Sequence, residues 1–311
     1  MKIAISTRWN AGEHLDGEAM LSEILALGVD QVELGYDLRL DLVPGVQKVV
    51  ASGAVKVVSL HNFCPVPVAA PRGHPEIYTL ASVDASERER AVLNTGRTLR
   101  FAAEMGARAV VAHAGNVAIT KRSPDLLALC AAGRMFDSTY ERIKLKLQVA
   151  REKKVGKQLD FLRQSLDRLA PVMEETGVVL ALENLPTWEA IPTEVEMEIL
   201  CREWADRKVR CWHDIGHGRI RELMGFINLE RWLERLAPWM AGVHIHDVRP
   251  PAIDHAMPPG GLVDFASLKP LVRQDILKVL EPAPRTPAEM ITEALRFLEE
   301  TWGDASGENQ A

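Results

Sequence analysis

Short, almost unbroken apolar runs alternate along this chain with longer segments whose apolar residues return every three or four positions. The runs are KIAIS (2–6), VDQVELGY (29–36), VKVVSLHNF (55–63), ARAVVAHAG (107–115), VVLALENLP (178–186), VRCWHDIGHG (209–218), AGVHIHDV (241–248) and ILKVLEPAP (276–284). Each has the look of a strand buried on both faces. Helical spacing predicts helices over 16–27, 43–52, 86–105, 159–176, 194–205, 229–236, 268–272 and 286–302. Gly28, Gly106 and Gly177 stand where C-terminal caps belong. A proline-rich stretch over 65–75 predicts an extended loop. Strand followed by helix, eight times over, predicts an α/β fold, a single (β/α)8 TIM barrel with parallel strands.

The rhythm breaks once. Residues 120–157 are rich in Lys, Arg and Leu, with IKLKLQVAREKK at the centre, and read as a solvated helical insertion between strands four and five. No linker-like change of composition divides the chain, so one barrel is expected over residues 1–303. The polar tail 304–311, DASGENQA, is expected to be disordered.

Composition narrows the partners. The 311 residues are 47% hydrophobic and 26% charged, enough to bury a large core without disulfides. A net charge of −6 argues against a broad nucleic-acid surface, which needs clustered Lys and Arg. Cys64, Cys130, Cys201 and Cys211 form no C-x-x-C pair and read as reduced thiols of a cytoplasmic protein. The N-terminal run is too short for a signal peptide, and no stretch has the length of a membrane span. Without a Gly-rich phosphate loop, neither a nicotinamide nor ATP is implied. The insertion and the last helix are the surfaces on which a homo-oligomer would form.

Chemistry collects at the C-terminal ends of the runs, the end of a TIM barrel where function sits. His61, His113, Glu183, Asp214, His217, His244, His246, Asp247 and Glu281 stand there, with Asp254 and His255 in the loop after strand seven. So many carboxylates and imidazoles at one mouth call for a cation to offset the charge. Asp214 and His217, three residues apart, suit a divalent metal with one oxygen and one nitrogen ligand. Glu33 reads as a strand-end residue with a hydrogen-bond partner. His213, next to inward-facing Asp214, reads as facing the helical layer. Trp9 and Trp188 are candidates for an apolar wall, whereas Trp212 reads as core packing. Arg8, Arg249 and Arg285 follow strand ends, as groups that hold a phosphate or carboxylate do.

LALEN, WHDIGH, VHIHD and VLEP together resemble the xylose-isomerase-like barrel superfamily, over roughly residues 2–300. That group includes sugar isomerases and epimerases and the endonuclease IV type of DNA-repair enzyme. The epimerase resemblance implies one divalent metal (Mn²⁺, Zn²⁺, Co²⁺ or Mg²⁺) held by Glu183, Asp214, His244 and Glu281. His244 is preferred to His246 because the family's ligand His lies three before an Asp. Glu183 and Glu281 would also be the acid/base pair of an isomerase or epimerase of a small sugar, sugar phosphate or polyol-type substrate. Its proton transfer would run through a metal-stabilised enediolate. His217, His246, Asp247, Asp254, His255, Arg249 and Trp9 would face the substrate.

The endonuclease IV branch would add a second metal at His61 and His113, and a third at His217 and an Asp-x-His. Here Asp254 is followed at once by His255, Ala256 stands where the His is expected, and the expected G-E-G reads GGL. An abasic-DNA hydrolase is therefore the weaker alternative, and a lyase or dehydratase on the same barrel is another.

Overall fold

The computed structural model describes residues 2–303. Its centre is a closed barrel of eight parallel strands: Ala4–Ser6, Gln31–Leu34, Lys56–His61, Ala109–Ala112, Val179–Glu183, Val209–Asp214, Met240–Ile245 and Leu277–Leu280. The first strand pairs with the second on one side and with the eighth on the other, Ala4 lying opposite Val279. The (β/α)8 barrel read from the hydrophobic runs is the fold observed. The predicted tail 304–311 lies outside the described residues.

Two layers of packing follow from the alternation of side chains along each strand. Ala4, Val58, Ala109, Val111, Ala181, Trp212, Leu277 and Val279 fill the barrel interior. Trp212 occupies so much of that space that strand seven carries Gly242 beside it; a Cβ there would come within 2.4 Å of the indole ring. The next inward positions are Glu183 after Ala181, Asp214 after Trp212, His244 after Gly242 and Glu281 after Val279. Cross-strand register places Asp214 opposite His244, and Val279 opposite His244. The period of the strand that builds the core thus delivers four ligand-type side chains to one level, immediately above it.

Helices start where a side chain can take up their free N–H groups. Asp16, Asp84, Asp137 and Asp264 each accept from the first turn of the helix that follows, and Thr193 and Glu196 complete a capping box. Asp264 starts a short helix at Phe265–Leu268, earlier than the 268–272 expected from apolar spacing. The expected helical insertion lies between strands four and five, and only its boundary with the following helix differs. After a helix at Ser123–Ala131, one uninterrupted helix runs Ser138–Thr176, so the basic segment and the predicted 159–176 helix are one element. Nothing between them breaks a helix, and Gly177 ends it with φ of 72°.

Arg151 pins this long helix to the rest of the fold. Its guanidinium donates to the Trp188 and Ala190 carbonyls and to both oxygens of Glu196. Two small antiparallel ribbons, Gly115–Asn116 with Ala190–Ile191 and Asp247–Arg249 with Ile253–Ala256, organise loops after strands four, five and seven. All four cysteines are free, and among the described residues no helix is long and apolar enough to cross a membrane.

Burial alone would raise the Glu196 carboxyl, but Arg151 outweighs it and holds the group below its ordinary value. A depressed folded-state pKa contributes stability above the unfolded value of ~4.3, which is lost as pH falls through the folded value. Glu196→Gln is expected to cost about 3 kcal/mol at pH 7. It should also flatten part of the stability loss below pH ~4.3. Urea denaturation at stepped pH measures both, and an unchanged acid limb would mean that other carboxylates carry it.

Candidate metal centre

At the strand ends the ligand-type atoms of Glu183, Asp214, His244 and Glu281 all lie within 4.8 Å of one another, and all four residues are buried. His244 Nδ1 is 2.9 Å from Glu183 Oε1, 3.5 Å from Glu281 Oε2 and 4.0 Å from Asp214 Oδ2. The other ring nitrogen, Nε2, lies 3.0 Å from Glu33 Oε1, while Glu33 Oε2 accepts from the Ser59 hydroxyl at 2.8 Å. Glu33 therefore holds the ring so that Nδ1 faces the three carboxylates. This is the way an outer carboxylate orients a metal-binding imidazole. Burial would raise Glu33, yet His244 above all keeps it ionised. Burial would lower His244, yet Glu33, Glu281 and Glu183 hold it well above the ordinary histidine value.

Asp214 is placed by its own sequence context. It ends strand six and caps the helix Ile215–Leu223, one oxygen accepting from the His217 N–H at 2.7 Å. The D-x-x-H spacing is thus an N-cap spacing, which brings the His side chain back over the carboxylate. Asn184 clamps the two strand ends by accepting from Asp214 N and donating to Asp214 O. Its own carbonyl accepts from His217 Nδ1 at 3.0 Å, leaving His217 Nε2 with a lone pair for the cavity.

Glu183 faces two ways. Oε1 meets His244, while Oε2 is 3.2 Å from His61 Nε2 and 3.0 Å from His113 Nε2. His61, His113 and Glu183 form a second compact group that shares this carboxylate with the first. The His61 Nδ1 contact with the Asn62 carbonyl puts the proton there and turns Nε2 toward Glu183. Burial alone would raise the Glu183 carboxyl, but His244 and His113 hold it well below the usual range.

A third group joins His217, His246 and His255. His246 is spoken for on both sides: its Nε2 is 2.9 Å from Asp214 Oδ1, and its Nδ1 accepts from the His255 N–H at 2.9 Å. Asp214 pushes the His246 imidazole up to about 9 against its burial. The Asp247 carbonyl also lies 3.2 Å from Nδ1, so both ring nitrogens have partners within the protein.

The cavity above the centre is about 250 Å³ and is lined by Arg8, Tyr36, His61, His113, Glu183, His217, His255 and Glu281, among others. Several candidates lie outside that lining. Trp9 is buried, with its indole N–H donating to the Thr286 carbonyl at 2.7 Å. Asp247 accepts from the backbone N–H groups of Val248, Gly261 and Val263, and Arg249 donates to the Met257 and Pro259 carbonyls. Both are used in holding the loop after strand seven. Asp254 stays half-exposed, 4.0 Å from His217 Nε2. Trp188 stacks on Phe226 away from the mouth, and Trp212 sits in the barrel core. His213 faces the helical layer, packed so closely on Gly218 that a Cβ there would lie 2.8 Å from its Nε2.

The donor set fits a divalent cation. Three buried carboxylates converge with one imidazole, an outer carboxylate fixes that imidazole, and the nearby Arg8 guanidinium reaches Glu281 only, at 3.7 Å.

The family model described as "Xylose isomerase-like TIM barrel" matches residues 21–301. No curated protein matches the sequence. Among solved structures, 3-keto-D-glucoside 4-epimerase from E. coli superposes with a TM-score of 0.68 at 18% identity, over 96% of this chain and 99% of that one. L-ribulose 3-epimerase gives 0.66 at 17% identity, with both chains covered completely. D-psicose 3-epimerase with D-tagatose from Clostridium cellulolyticum H10 gives 0.65 at 14%, over 97% and 99% of the two chains. At these identities the likeness is one of fold.

Removing the outer carboxylate is the sharpest probe of the first group. Glu33→Gln is expected to weaken Mn²⁺ binding about 10- to 100-fold while the protein remains folded. Isothermal titration with Mn²⁺ reads the affinity and circular dichroism the fold; unchanged affinity would remove Glu33 from the centre.

Proposed function

This chain belongs to the xylose isomerase-like TIM barrel family, and on that premise we propose that it is a divalent-metal-dependent isomerase or epimerase of a small sugar, sugar phosphate or polyol-type substrate. The observation that carries the reading is the convergence of Glu183, Asp214, His244 and Glu281 beneath a cavity small enough for a single sugar. The sugar-epimerase names of the similar structures point the same way.

The residues divide the work. Glu183, Asp214, His244 and Glu281 would hold the ion. A divalent cation bound there would supply Lewis acidity that makes a C–H next to a carbonyl easier to deprotonate. Glu183 on strand five and Glu281 on strand eight flank the Asp214–His244 pair, so a carboxylate stands on either side of the reacting carbon. One removes the proton and the other returns it, to the opposite face in an epimerase. His217 Nε2 accepts from a substrate hydroxyl, and the His246–Asp214 contact keeps the Asp214 carboxylate turned inward. Glu183 also has room to share a second ion with His61 and His113.

The abasic-DNA hydrolase alternative asks for a third ion. The group available for it depends on His246, whose two nitrogens are already engaged with Asp214 and the His255 N–H. The net charge of −6 adds no attraction for a DNA backbone.

The test is proton exchange. Protein loaded with Mn²⁺ or Co²⁺ and incubated in D₂O with D-fructose, D-psicose, D-tagatose or L-ribulose is expected to place deuterium next to the carbonyl, as read by NMR. Glu183→Gln and Glu281→Gln should each lower that exchange about 10²- to 10⁴-fold. Absence of exchange by metal-loaded protein across ketoses, their phosphates and keto acids would overturn the reading. Cleavage of an abasic oligonucleotide would replace it.

A further inference from the structure

Three arginines follow strand ends in this chain, and the structure finds other work for two of them. Arg249 is spent on loop carbonyls, and Arg285 pairs with Glu13 at the surface. Arg8 alone of the three lines the cavity. Its Nε and Nη1 are buried and have no hydrogen-bond partner. The nearest carboxylate oxygen, Glu281 Oε1, is 3.7 Å from Nη1, beyond hydrogen-bonding distance. A guanidinium cannot give up its proton to escape this, so its buried donors need an acceptor.

The backbone around Arg8 is built to hold it still. It lies in the turn Thr7–Trp9 directly after strand one. On one side the Thr7 hydroxyl accepts from Gly35 N, and Gly35 packs so tightly that a Cβ would be 2.9 Å from Arg8 N. On the other, Trp9 is tied through its indole N–H to Thr286 and through its carbonyl to Arg285 N. Tyr36 stands against the guanidinium, 5.8 Å from ring centroid to Cζ.

Charge completes the argument. Glu183, Asp214 and Glu281 bring three negative charges, and a divalent ion with Arg8 brings three positive ones. Arg8 offsets the negative charge that three carboxylates would leave beside a divalent ion, and so lowers the cost of bringing an anionic ligand to this mouth. Because Arg8 stands beside Glu281, an oxyanion on it would belong to the same small molecule that reaches the metal. We propose that Arg8 is the specificity determinant for an anionic substituent, a carboxylate or a phosphate, on the sugar substrate. This rests on the metal-centre reading above and narrows its substrate class to acid sugars or sugar phosphates.

The test uses three six-carbon polyols that differ only at C1: D-gluconate, D-glucitol 1-phosphate and D-glucitol. None carries a carbonyl, so binding is read without turnover. By titration calorimetry on Mn²⁺-loaded protein, at least one of the two anions is expected to bind about 10- to 100-fold more tightly than D-glucitol. Arg8→Gln should remove that preference while leaving D-glucitol affinity and metal content unchanged, and Arg8→Lys should restore part of it. Which anion responds identifies the substituent. A preference that persists in Arg8→Gln belongs to the metal and overturns the proposal. Equal weakening of all three ligands, or loss of metal, would also overturn it, because Arg8 would then act only through Glu281. Ketose exchange in D₂O, run on the same samples, reports separately on the isomerase reading. Anion selectivity without exchange would leave Arg8's role standing and sink the reaction, and exchange without selectivity would do the reverse.

Discussion

Three carboxylates that are almost completely buried, within reach of one another, are the constraint on which this barrel mouth depends. Glu183, Asp214 and Glu281 repel at short range in a medium that screens poorly, and burial alone would raise the carboxyls of Glu183 and Asp214. Imidazoles are packed among them instead. His244 and His113 keep Glu183 ionised, and His217 and His246 do the same for Asp214, driving it well below the usual carboxylate range. The balance raises His244 and His61 in turn, even though both are buried. A cation of charge two replaces those ring protons with a single centre, and metal binding and proton release are therefore linked at this site.

The geometry that brings the carboxylates together is an ordinary consequence of strand periodicity. Each ligand-type residue stands two positions beyond a residue that packs the barrel interior, so the core and the centre share one register. Trp212 makes the link most directly, lying two residues before Asp214, demanding Gly242 beside it, and meeting the His244 ring edge-on at 5.0 Å. Packing that fixes the indole also fixes the floor under His244. A core substitution at this level therefore acts on ligand placement as well as on stability.

The same logic explains how much was legible in the amino-acid order. Apolar runs ending in His, Asp or Glu revealed the barrel and the cluster of residues at its mouth, because strand direction and alternation are local properties. Which partner a polar side chain finds is a tertiary property. Glu33 looked like a strand-end carboxylate with a partner, but nothing local says that the partner is His244 from strand seven. Asp247 and Arg249 carry the charges of a ligand-binding loop, yet their bonds go to backbone groups 8 to 16 residues away. Trp9 follows a strand end, as a wall residue would, and is drawn into the core by the Thr286 carbonyl. The helical insertion stands where the sequence put it, but its boundary with the next helix was not legible: one helix runs on through the change in composition, and composition does not end a helix.

Buried polar atoms without partners are few in folded proteins, and where they collect is informative. Some here belong to packing, such as the Trp212 indole nitrogen in the barrel core and both nitrogens of His213 beneath the helical layer. Burial presses His213 down to about 4, which keeps its ring uncharged where no carboxylate bonds to it. Arg8, His113 and His255 differ, because each has such an atom and each also lines the cavity. A neutral imidazole in the core costs little when unpaired, whereas a permanently charged guanidinium in the same position costs far more. The contacts of Thr7, Gly35 and Trp9 fix the backbone at Arg8, and Tyr36 and Glu281 flank its guanidinium. Arg219 and Arg221 also carry an unpaired buried Nε, but Glu222 and Glu194 accept from their other nitrogens, whereas the Arg8 guanidinium has Glu281 only at 3.7 Å and faces the cavity.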